Sequence, residues 1–386
     1  MSDHSTDEHF LRRALNLARE GIGLASPNPY VGAVIADAQG NVAGTGVYTY
    51  DGKKHAEVLA LEQAGDKARG GTLFINLEPH SHQGRTPPCT DALIAAGIHR
   101  VVASMPDPNP KVSGRGFEKL RAAGVRVEVG RLGAEARRLN ETFARHIRHG
   151  VPLVTLKSAM TLDGKIAPAR GQSAEHTPGI PPGGWITGEA ARAHVQQQRH
   201  QSDAIMVGIG TVLADDPLLT DRSGNARRRP LLRVILDSHL RLPLGSRLVQ
   251  SIAGNAARES DVLVFCSSGD EKKKDKLERR GIRMEQVPAA QDGRLEIHAV
   301  LRRLGQFEVT SMMIEGGAAV NGTALASGVV DKVFLYYAPQ IMGGAESMPF
   351  ATGSSFHGTL QVKHLQLHRF GEDIAVEGYL RDPYAG

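Results

Sequence analysis

The sequence predicts a mixed α/β protein made of two domains in tandem. In both halves of the chain, short apolar runs typical of strands alternate with amphipathic helical patterns, which indicates α/β layers. The pattern breaks at His149-Gly150-Val151-Pro152, where a polar helix ends and a new apolar strand begins. The 386 residues suffice for two or three domains of about 150 residues. We therefore expect one domain over residues 1–149 and a second over residues 150–386.

The first domain is predicted to open with an amphipathic helix. Ser5 and Glu8 have the spacing of a capping box, and apolar residues then recur at helical spacing until Gly21. Downstream, apolar runs bounded by turn residues predict strands, and longer amphipathic runs predict helices. The predicted strands lie at 31–36, 42–48, 72–77, 101–104 and 125–129, and the predicted helices at 55–63, 90–96, 117–123 and 134–148.

Strands and helices alternate again in the second domain. A stretch rich in proline and glycine, at 177–184, fits neither a helix nor a central strand and predicts an exposed loop. The remaining pattern indicates a second α/β layer structure. Its predicted strands lie at 153–159, 204–207, 232–236, 262–266, 312–314, 333–336 and 375–380, and its predicted helices at 190–198 and 318–326.

Composition and charge exclude several classes of protein. Cys89 and Cys266 are the only cysteines, which excludes a disulfide scaffold and favours a reducing compartment. The polar start and the lack of any run of about 18 uncharged apolar residues predict a soluble, cytoplasmic protein that does not contact a membrane. The net charge of +5 is interspersed with acidic residues, so it fits phosphorylated small molecules as well as nucleic acid.

Three residues that can bind a transition metal accompany a carboxylate in the first domain. His55 and Glu57 open a predicted helix, and His80 and Cys89 lie downstream, between a strand and the next helix. A catalytic zinc ion needs three such ligands and an open position for water, with a carboxylate nearby to move protons. The His-x-Glu triplet alone is expected about once by chance in this composition, so the combination is what predicts the site.

Two glycine-rich turns follow strands in the second domain. They lie at 207–211 (Val-Gly-Ile-Gly-Thr) and at 314–319 (Ile-Glu-Gly-Gly-Ala-Ala). Such turns let the backbone N–H groups of a helix N-terminus approach a phosphate. Neither is a complete Gly-x-Gly-x-x-Gly, and tight packing explains each turn taken alone. Together they favour a dinucleotide.

The spacing of the motifs in the first domain resembles that of the zinc nucleobase deaminases. Segments 26–32 (Ser-Pro-Asn-Pro-Tyr-Val-Gly) and 81–93, which contains Gly-Arg-Thr-Pro-Pro-Cys, resemble the deaminase half of the bifunctional riboflavin-biosynthesis deaminase/reductases. The resemblance implies a cytidine-deaminase-like three-layer domain with His55, His80 and Cys89 as zinc ligands, Glu57 as the catalytic proton carrier, and Asn28 and Arg85 as substrate contacts.

The chain departs from this family at two positions near the expected site. It has His80 where the family has a cysteine, and Tyr48 where the family has a histidine. Imidazole is a good zinc ligand, so His55, His80 and Cys89 remain a chemically reasonable ligand set. The neutral ring leaves the metal site one positive charge higher than a thiolate would. His82 competes with His80 as a ligand, but the family has a histidine there beside its own cysteine, so we prefer His80. The alternative is a metal site that has been lost.

The second domain resembles the reductase half of the same enzymes, which has a dihydrofolate-reductase-like fold. The matching segments are 155–165, 185–188, 202–205, 211–217 and 314–317. The resemblance implies NADPH contacts at Ala159, Trp185, Thr211, Asp215, Ser238, Gly317, Ala318, Ala319, Val320, Asn321, Gly322 and Thr323, and substrate contacts at Ser173, Arg199, Leu219, Arg222 and Glu315. About ten extra residues, at 174–183, precede Trp185, so either Ser173 or a residue near Gly183 takes the family's substrate-contact position.

The sequence therefore predicts an enzyme with two active sites. In the first, zinc-assisted hydrolysis would remove the 2-amino group of 2,5-diamino-6-(ribosylamino)-4-pyrimidinone 5'-phosphate. In the second, NADPH would deliver hydride to C1' of the opened ribose, with Lys157 or Asp215 protonating or polarising the sugar. We expect a homo-oligomer, a dimer or a tetramer, that binds a phosphorylated pyrimidine and no nucleic acid.

Two other interpretations stay open at this point. A reductase whose first domain has lost its catalytic role is suggested by His80 and Tyr48. A nucleic-acid deaminase would share the zinc motif, but it should carry a basic face interleaved with aromatic residues.

Overall fold

The computed structural model describes residues 3–82, 87–169, 184–252, 260–353 and 358–385. The chain divides into two compact units, the first comprising residues 1–150 and 226–229, and the second residues 151–225 and 230–385. Each unit has helices packed on a sheet, so the predicted α/β class is confirmed. Within the described residues, no helix is long and apolar enough to cross a membrane.

The first unit is a five-stranded sheet between two layers of helices. Its strand order is β2-β1-β3-β4-β5, with β1 antiparallel to both neighbours and β3, β4 and β5 parallel. Alternate residues of β1 pack on opposite faces, Val34 in a core with α1 and Ile35 in a core with α2, α3 and α4. The elements are α1 (Asp3–Glu20), β1 (Gly32–Ala36), β2 (Val42–Val47), α2 (Ala56–Ala64), β3 (Thr72–Ile75), α3 (Cys89–Ala95), β4 (Arg100–Ala103), α4 (Arg115–Ala122), β5 (Arg126–Val129), α5 (Gly133–Leu139) and α6 (Glu141–His149).

Two glycines allow α2 to lie directly on β2. A Cβ on Gly44 would collide with the carbonyl oxygen of Ala60, and a Cβ on Gly46 with that of Ala56. Both alanines are fully buried on the face of α2 that meets the strand. The backbones can therefore approach closely, and this contact fixes the start of α2, which carries the predicted metal and proton-transfer residues.

Two details of the first unit differ from the sequence prediction. Ser5 lies inside α1 rather than capping it, because the helix already includes Asp3. The single helix predicted for 134–148 is two helices that meet at Asn140. Asn140 is buried with a non-helical ψ of 17°, and its side chain bonds both backbone groups of Tyr30, at 2.8 Å and 3.1 Å. That local bonding competes with continuation of the helix.

The second unit is built on a nine-stranded sheet. Its order is β11-β10-β9-β8-β12-β6-β13-β16-β15, parallel from β11 to β13 and antiparallel over the last two strands. The elements are β6 (Leu153–Thr161), β7 (Lys165–Ala167), α7 (Glu189–Gln201), β8 (Ala204–Gly208), α8 (Ile209–Asp215), β9 (Leu232–Leu236), α9 (Arg247–Gln250), β10 (Val262–Cys266), α10 (Glu271–Glu278), β11 (Arg283–Gln286), α11 (Ile297–Gln306), β12 (Ser311–Ile314), α12 (Ala318–Ala326), β13 (Lys332–Ala338), β14 (Met348–Pro349), β15 (Lys363–Phe370) and β16 (Asp373–Tyr379).

The parallel strands of this sheet bring several loops to one edge. β6, β8, β9 and β12 run in the same direction, so the residues that follow them lie at the same edge. Ligands of open α/β sheets bind at this edge. Of the loop predicted at 177–184, all but Gly184 lies outside the described residues.

Candidate active sites

The three predicted metal ligands lie together in the first unit. Nδ1 of His55 and Nδ1 of His80 each lie 2.9 Å from Sγ of Cys89. All three ligand atoms lie within 4.8 Å of one another, and the described residues contain no other such group of three metal-binding side chains. His82 is outside this group, with its ring centroid 5.2 Å from that of His80. The arrangement fits a single metal ion.

Glu57 lies beside this cluster in the first turn of α2. Its side chain is 3% exposed, and among the described residues its Oε2 has no hydrogen-bond partner. Burial raises the pKa of the Glu57 carboxyl, and burial together with Glu57 raises the pKa of the Cys89 thiol. A nearby cation would stabilise the anionic forms of both groups, so the donor set and the unpaired oxygen fit a metal site.

Asn28 and Tyr48 meet next to the cluster. Nδ2 of Asn28 donates a hydrogen bond to the hydroxyl oxygen of Tyr48 at 2.5 Å. The Tyr48 ring is buried, and its edge contacts the ring of His55 at 5.6 Å between centroids. Tyr48 therefore links the predicted substrate contact to a predicted ligand. Arg85 lies outside the described residues.

Two acidic residues near this site have no role among the residues predicted from the sequence. Glu78 is buried and accepts the N–H groups of Asp107, Gly114 and Gly116 at 2.8 to 3.0 Å, which holds the start of α4. Burial and the nearby Glu78 raise the pKa of Asp107 to about 6, against the opposing effects of Asn109 and His82. A carboxylate at the end of a strand is the signal that could have identified Glu78, whereas the surroundings of Asp107 depend on the fold.

A mostly buried ion cluster joins three elements of the second unit. Nε and Nη2 of Arg199, in the last turn of α7, donate to the two carboxylate oxygens of Glu315 at 2.8 Å and 3.1 Å. Nζ of Lys157, on β6, lies 3.5 Å from the same carboxylate, which directly follows β12. Burial raises the pKa of Glu315, but the attraction of Lys157 and Arg199 outweighs it and lowers that pKa to about 2. Arg199 and Glu315, predicted together as substrate contacts, therefore lie beside Lys157, which was predicted to act on the sugar.

The loop that carries the other predicted substrate contacts joins this cluster. Nη1 of Arg199 donates to the carbonyl oxygen of Thr220 at 2.8 Å, beside the buried Leu219. The backbone N–H of Arg222, whose side chain is exposed, donates to Oε1 of Gln196 on α7 at 3.0 Å. Asp215 ends α8 as an exposed residue, unlike the mostly buried Lys157. Ser173 lies outside the described residues.

The two glycine-rich turns are neighbours. β8 and β12 pair in parallel, and a Cβ on Gly208 would lie 2.7 Å from Cγ2 of Val320 in the other turn's helix. Among the described residues, a Cβ on Gly317 would meet only Oγ1 of Thr211, at 3.7 Å, so the space in front of that glycine is open to them. Open space at the start of α12 fits the approach of a nucleotide phosphate.

The remaining predicted cofactor residues lie in different surroundings. Trp185 is 52% exposed, with the guanidinium of Arg192 5.5 Å from its ring centroid, which excludes a core role. Ser238 follows β9, and Ala159 on β6 packs beside the buried Tyr336. Later in the run 317–323, the buried Asn321 donates to the carbonyl of Phe350, Gly322 packs on the backbone of Thr352, and Thr323 bonds Arg294. Ala318 and Ala319 begin α12 at the turn itself.

Comparison with family models matches both halves of the chain. Residues 4–105 match the cytidine and deoxycytidylate deaminase zinc-binding region, and residues 152–376 match the RibD C-terminal domain. A riboflavin biosynthesis protein RibD from Actinobacillus pleuropneumoniae is 40% identical over 381 residues, covering 98% of this chain and 96% of that protein. The chain belongs to the RibD family. The Escherichia coli RibD is 39% identical, covering 96% of this chain and 98% of that protein.

Solved structures of RibD proteins share this fold over nearly the whole chain. Acinetobacter baumannii RibD aligns with a TM-score of 0.80 at 33% identity, covering 97% of this chain and 99% of that one. A Thermotoga maritima diaminohydroxyphosphoribosylaminopyrimidine deaminase/5-amino-6-(5-phosphoribosylamino)uracil reductase aligns with a TM-score of 0.78 at 34% identity, covering 97% and 99%. The predicted cytidine-deaminase-like first domain and reductase second domain are thereby confirmed.

Membership of the RibD family confirms the predicted bifunctional enzyme of riboflavin biosynthesis. The chain combines a deaminase domain of a zinc-binding family with a reductase domain, and the His-His-Cys cluster lies in the former. Its substrate is a small pyrimidine, and neither a decayed deaminase nor a nucleic-acid deaminase is favoured.

Proposed function

We propose that residues 1–149 deaminate 2,5-diamino-6-(ribosylamino)-4-pyrimidinone 5'-phosphate with a zinc ion, and that residues 150–386 then reduce the ribosyl group to ribityl with NADPH. The first reaction exchanges the 2-amino group for the oxygen of water and releases ammonia. The second adds hydride at C1' and a proton at the ring oxygen of the sugar, which opens the ring. The Thermotoga relative, named for a deaminase and a reductase of such compounds, supports both assignments.

In the deaminase site, His55, His80 and Cys89 would hold the metal and Glu57 would carry the proton. A zinc ion bound there would activate the attacking water molecule. Oε2 of Glu57 is buried and unpaired among the described residues, so it can accept the water proton and return it to the departing ammonia. Asn28, and Arg85 outside the described residues, would contact the substrate.

In the reductase site, the ion cluster would hold the substrate and the glycine turns the cofactor. Bound NADPH would supply the hydride. The carboxylate of Glu315 suits ribose hydroxyls, while Arg199 and Arg222 suit the phosphate. Lys157 or Asp215 would protonate the ring oxygen, and the contact of Lys157 with Glu315 favours Lys157. The remaining residues predicted to contact NADPH or the substrate keep those proposed roles. We also propose that the protein is cytoplasmic and forms a homo-oligomer.

The proposal is supported by the occurrence of two features in the same chain. The His55–His80–Cys89 cluster lies beside Glu57, and the glycine turns of the second unit are open. The test measures zinc per chain, ammonia release and nicotinamide oxidation on the purified protein. We expect one zinc per chain, ammonia release from the diamino substrate, and reduction that prefers NADPH to NADH. Ammonia release undiminished after zinc removal would reject the metal assignment, and a preference for NADH would reject the cofactor.

A further inference from the structure

A short segment from the second half of the sequence belongs to the first unit. Residues 226–229 (Ala-Arg-Arg-Arg) group with residues 1–150, whereas their sequence neighbours on both sides group with the second unit. We refer to residues 226–229 as the arginine strap. None of the site residues described above lies in it, yet Arg228 and Arg229 bond the turn that leads to Asn28.

The arginine strap bonds the turn that precedes Asn28. The backbone N–H of Arg228 donates to the carbonyl oxygen of Gly23 at 2.9 Å. Nε and Nη2 of Arg228 both donate to the carbonyl oxygen of Ser26, at 3.2 Å and 2.7 Å. Nη2 of Arg229 donates to Oγ of Ser26 at 3.2 Å. Four hydrogen bonds, two of them from one guanidinium, therefore fix this irregular turn from a distant part of the sequence.

Arg228 also contacts a second segment of the same unit. Its guanidinium carbon lies 3.9 Å from the ring centroid of Tyr50, a favourable contact of a cation with an aromatic face. The N–H of Tyr50 in turn donates to the carbonyl oxygen of Leu24 at 3.1 Å. A single side chain thus holds the Ser26 turn against the segment that follows β2.

Both segments continue directly into the deaminase site. Asn28 is two residues beyond Ser26, and Tyr48 is two residues before Tyr50. These two side chains hydrogen-bond each other, and the Tyr48 ring contacts that of His55. Loosening the turn would displace the Asn28 amide relative to the metal cluster.

We propose that Arg228 is a positioning residue of the deaminase reaction. It clamps the Ser26 turn onto Tyr50, and thereby sets the place of the Asn28 amide that contacts the pyrimidine. The inference rests on the proposed role of Asn28 in binding substrate. A displacement of about 1 Å at a reacting group can reduce a rate by about 100-fold, so a contact outside the site can control its rate.

The test compares full-length, zinc-loaded variants. In Arg228→Ala we expect kcat/KM for ammonia release to fall by about 10-fold to 100-fold. Zinc per chain, the thermal midpoint and reduction of the deaminated substrate should stay at wild-type values. Arg227→Ala is the matched control, because it removes the same charge from the same segment and leaves in place the side chains of Arg228 and Arg229 that bond Ser26. It should deaminate close to the wild-type rate.

A second pair of variants separates this inference from the proposed role of Asn28. If Arg228 acts through Asn28, the double variant Asn28→Ala/Arg228→Ala should deaminate no more slowly than Asn28→Ala alone. Additive losses would overturn the inference and leave the role of Asn28 intact. Wild-type deamination in Asn28→Ala would reject the substrate contact and the inference together.

Arg228→Lys covers the case in which Arg228→Ala does not fold. Lysine keeps the cation over Tyr50 but cannot make the two-pronged bond to the Ser26 carbonyl. We expect deamination between that of wild type and that of Arg228→Ala, with zinc content and reduction intact. Wild-type deamination in Arg228→Lys when Arg228→Ala is unfolded, or an equal loss in Arg227→Ala, would overturn the inference.

Discussion

Of the two positions at which this chain departs from the family pattern, His80 is the more informative. A neutral imidazole replaces an anionic thiolate, yet Nδ1 of His80 lies as close to Sγ of Cys89 as does Nδ1 of His55. Both atoms are acceptable zinc donors, so we expect the substitution to change the charge of the site without removing a ligand. Tyr48, the second departure, contacts the same cluster through His55.

We predict that His80→Ala loses zinc. Removing one of three protein ligands should lower zinc affinity or deaminase activity by about 10-fold to 100-fold or more, while His80→Cys should retain the metal. Zinc per chain after dialysis at neutral pH measures the effect. His82→Ala is the matched control, because His82 lies two residues from His80 and outside the cluster, and this variant should keep its zinc. Full occupancy and undiminished deamination in His80→Ala would show that His80 is not a ligand.

The residues predicted for the deaminase site are those that form sequence motifs, whereas contacts that depend on the tertiary fold were missed. His55 and Glu57 share one helix start, so their spacing alone brings them together. The pairing of Glu78 with the N–H groups that begin α4 joins residues about 30 to 40 positions apart, which no local pattern encodes. Asp107 acquires its raised pKa of about 6 from burial and from Glu78, both consequences of the fold.

A buried ion cluster links three elements of the second unit, β6, β12 and α7. The carboxylate of Glu315 is held by Lys157 and Arg199, and each of the three side chains is less than 15% exposed. Removing one partner of a buried ion pair leaves the other charges uncompensated. The cluster therefore couples the stability of the reductase unit to its proposed substrate site.

We predict that Glu315→Gln lowers the free energy of unfolding at pH 7 by about 3 to 5 kcal/mol and also impairs reduction. The pKa of Glu315 is lowered from 4.5 to about 2 in the folded protein, so its ionisation stabilises the fold above about pH 4.5. This stabilisation is lost as pH falls toward 2, and the difference between wild type and variant should shrink over that range. Urea unfolding between pH 7 and pH 3 measures it.

The exposed pair of Lys54 with Glu62 provides the control for this prediction. Both side chains are about half exposed, so Glu62→Gln should change the free energy of unfolding by less than about 1 kcal/mol. A wild-type minus Glu315→Gln difference that stays constant from pH 7 to pH 3 would contradict a carboxylate held ionised by Lys157 and Arg199.

Gly317, which precedes α12, and Gly322, within it, give a matched pair of predictions. A Cβ at Gly317 makes only an ordinary contact at 3.7 Å, whereas a Cβ at Gly322 would overlap the carbonyl oxygen of Thr352. Gly317→Ala should therefore fold normally but bind NADPH about 10-fold more weakly, because the methyl group occupies the space in front of the helix start. Gly322→Ala should lose about 1 to 3 kcal/mol of stability through overpacking.

NADPH titration followed by the fluorescence of Trp185, the sole tryptophan, measures binding, and thermal unfolding measures stability. Unchanged NADPH affinity in Gly317→Ala would exclude this turn as the phosphate site. A fully stable Gly322→Ala would show that the packing of α12 on Thr352 is not tight.

Strands and helices were predicted correctly where burial imposes a regular pattern of apolar residues, and they were missed where it does not. The strands at Leu232–Leu236 and Val262–Cys266 were predicted to the residue, because both lie inside the sheet and consist mostly of buried apolar residues. β15 was missed because most of its residues are exposed at the edge of the sheet, so no alternation appears. The break at Asn140 depends on its bonds to Tyr30, more than 100 residues away.

The boundary between the two units follows Gly150, where the end of one helix is followed closely by a new strand. This boundary is predictable from the sequence because the end of a polar helix and the start of an apolar strand coincide there. The return of residues 226–229 to the first unit is not visible, because three consecutive arginines carry no periodic or turn pattern. Contacts distant in sequence are thus the part of the organisation that only the fold reveals.

We propose that one chain carries two independent active sites, one dependent on Glu57 and the other on Lys157. The most direct test mixes the full-length variants Glu57→Gln and Lys157→Ala with the diamino substrate and NADPH, and follows the ribitylamino product. Each variant alone should form none, since one stops at the first step and the other at the second. The mixture should form product, because each variant supplies the reaction that the other lacks. Product from either variant alone would contradict the role of the residue replaced, and no product from the mixture of two folded, zinc-loaded variants would contradict the independence of the two sites.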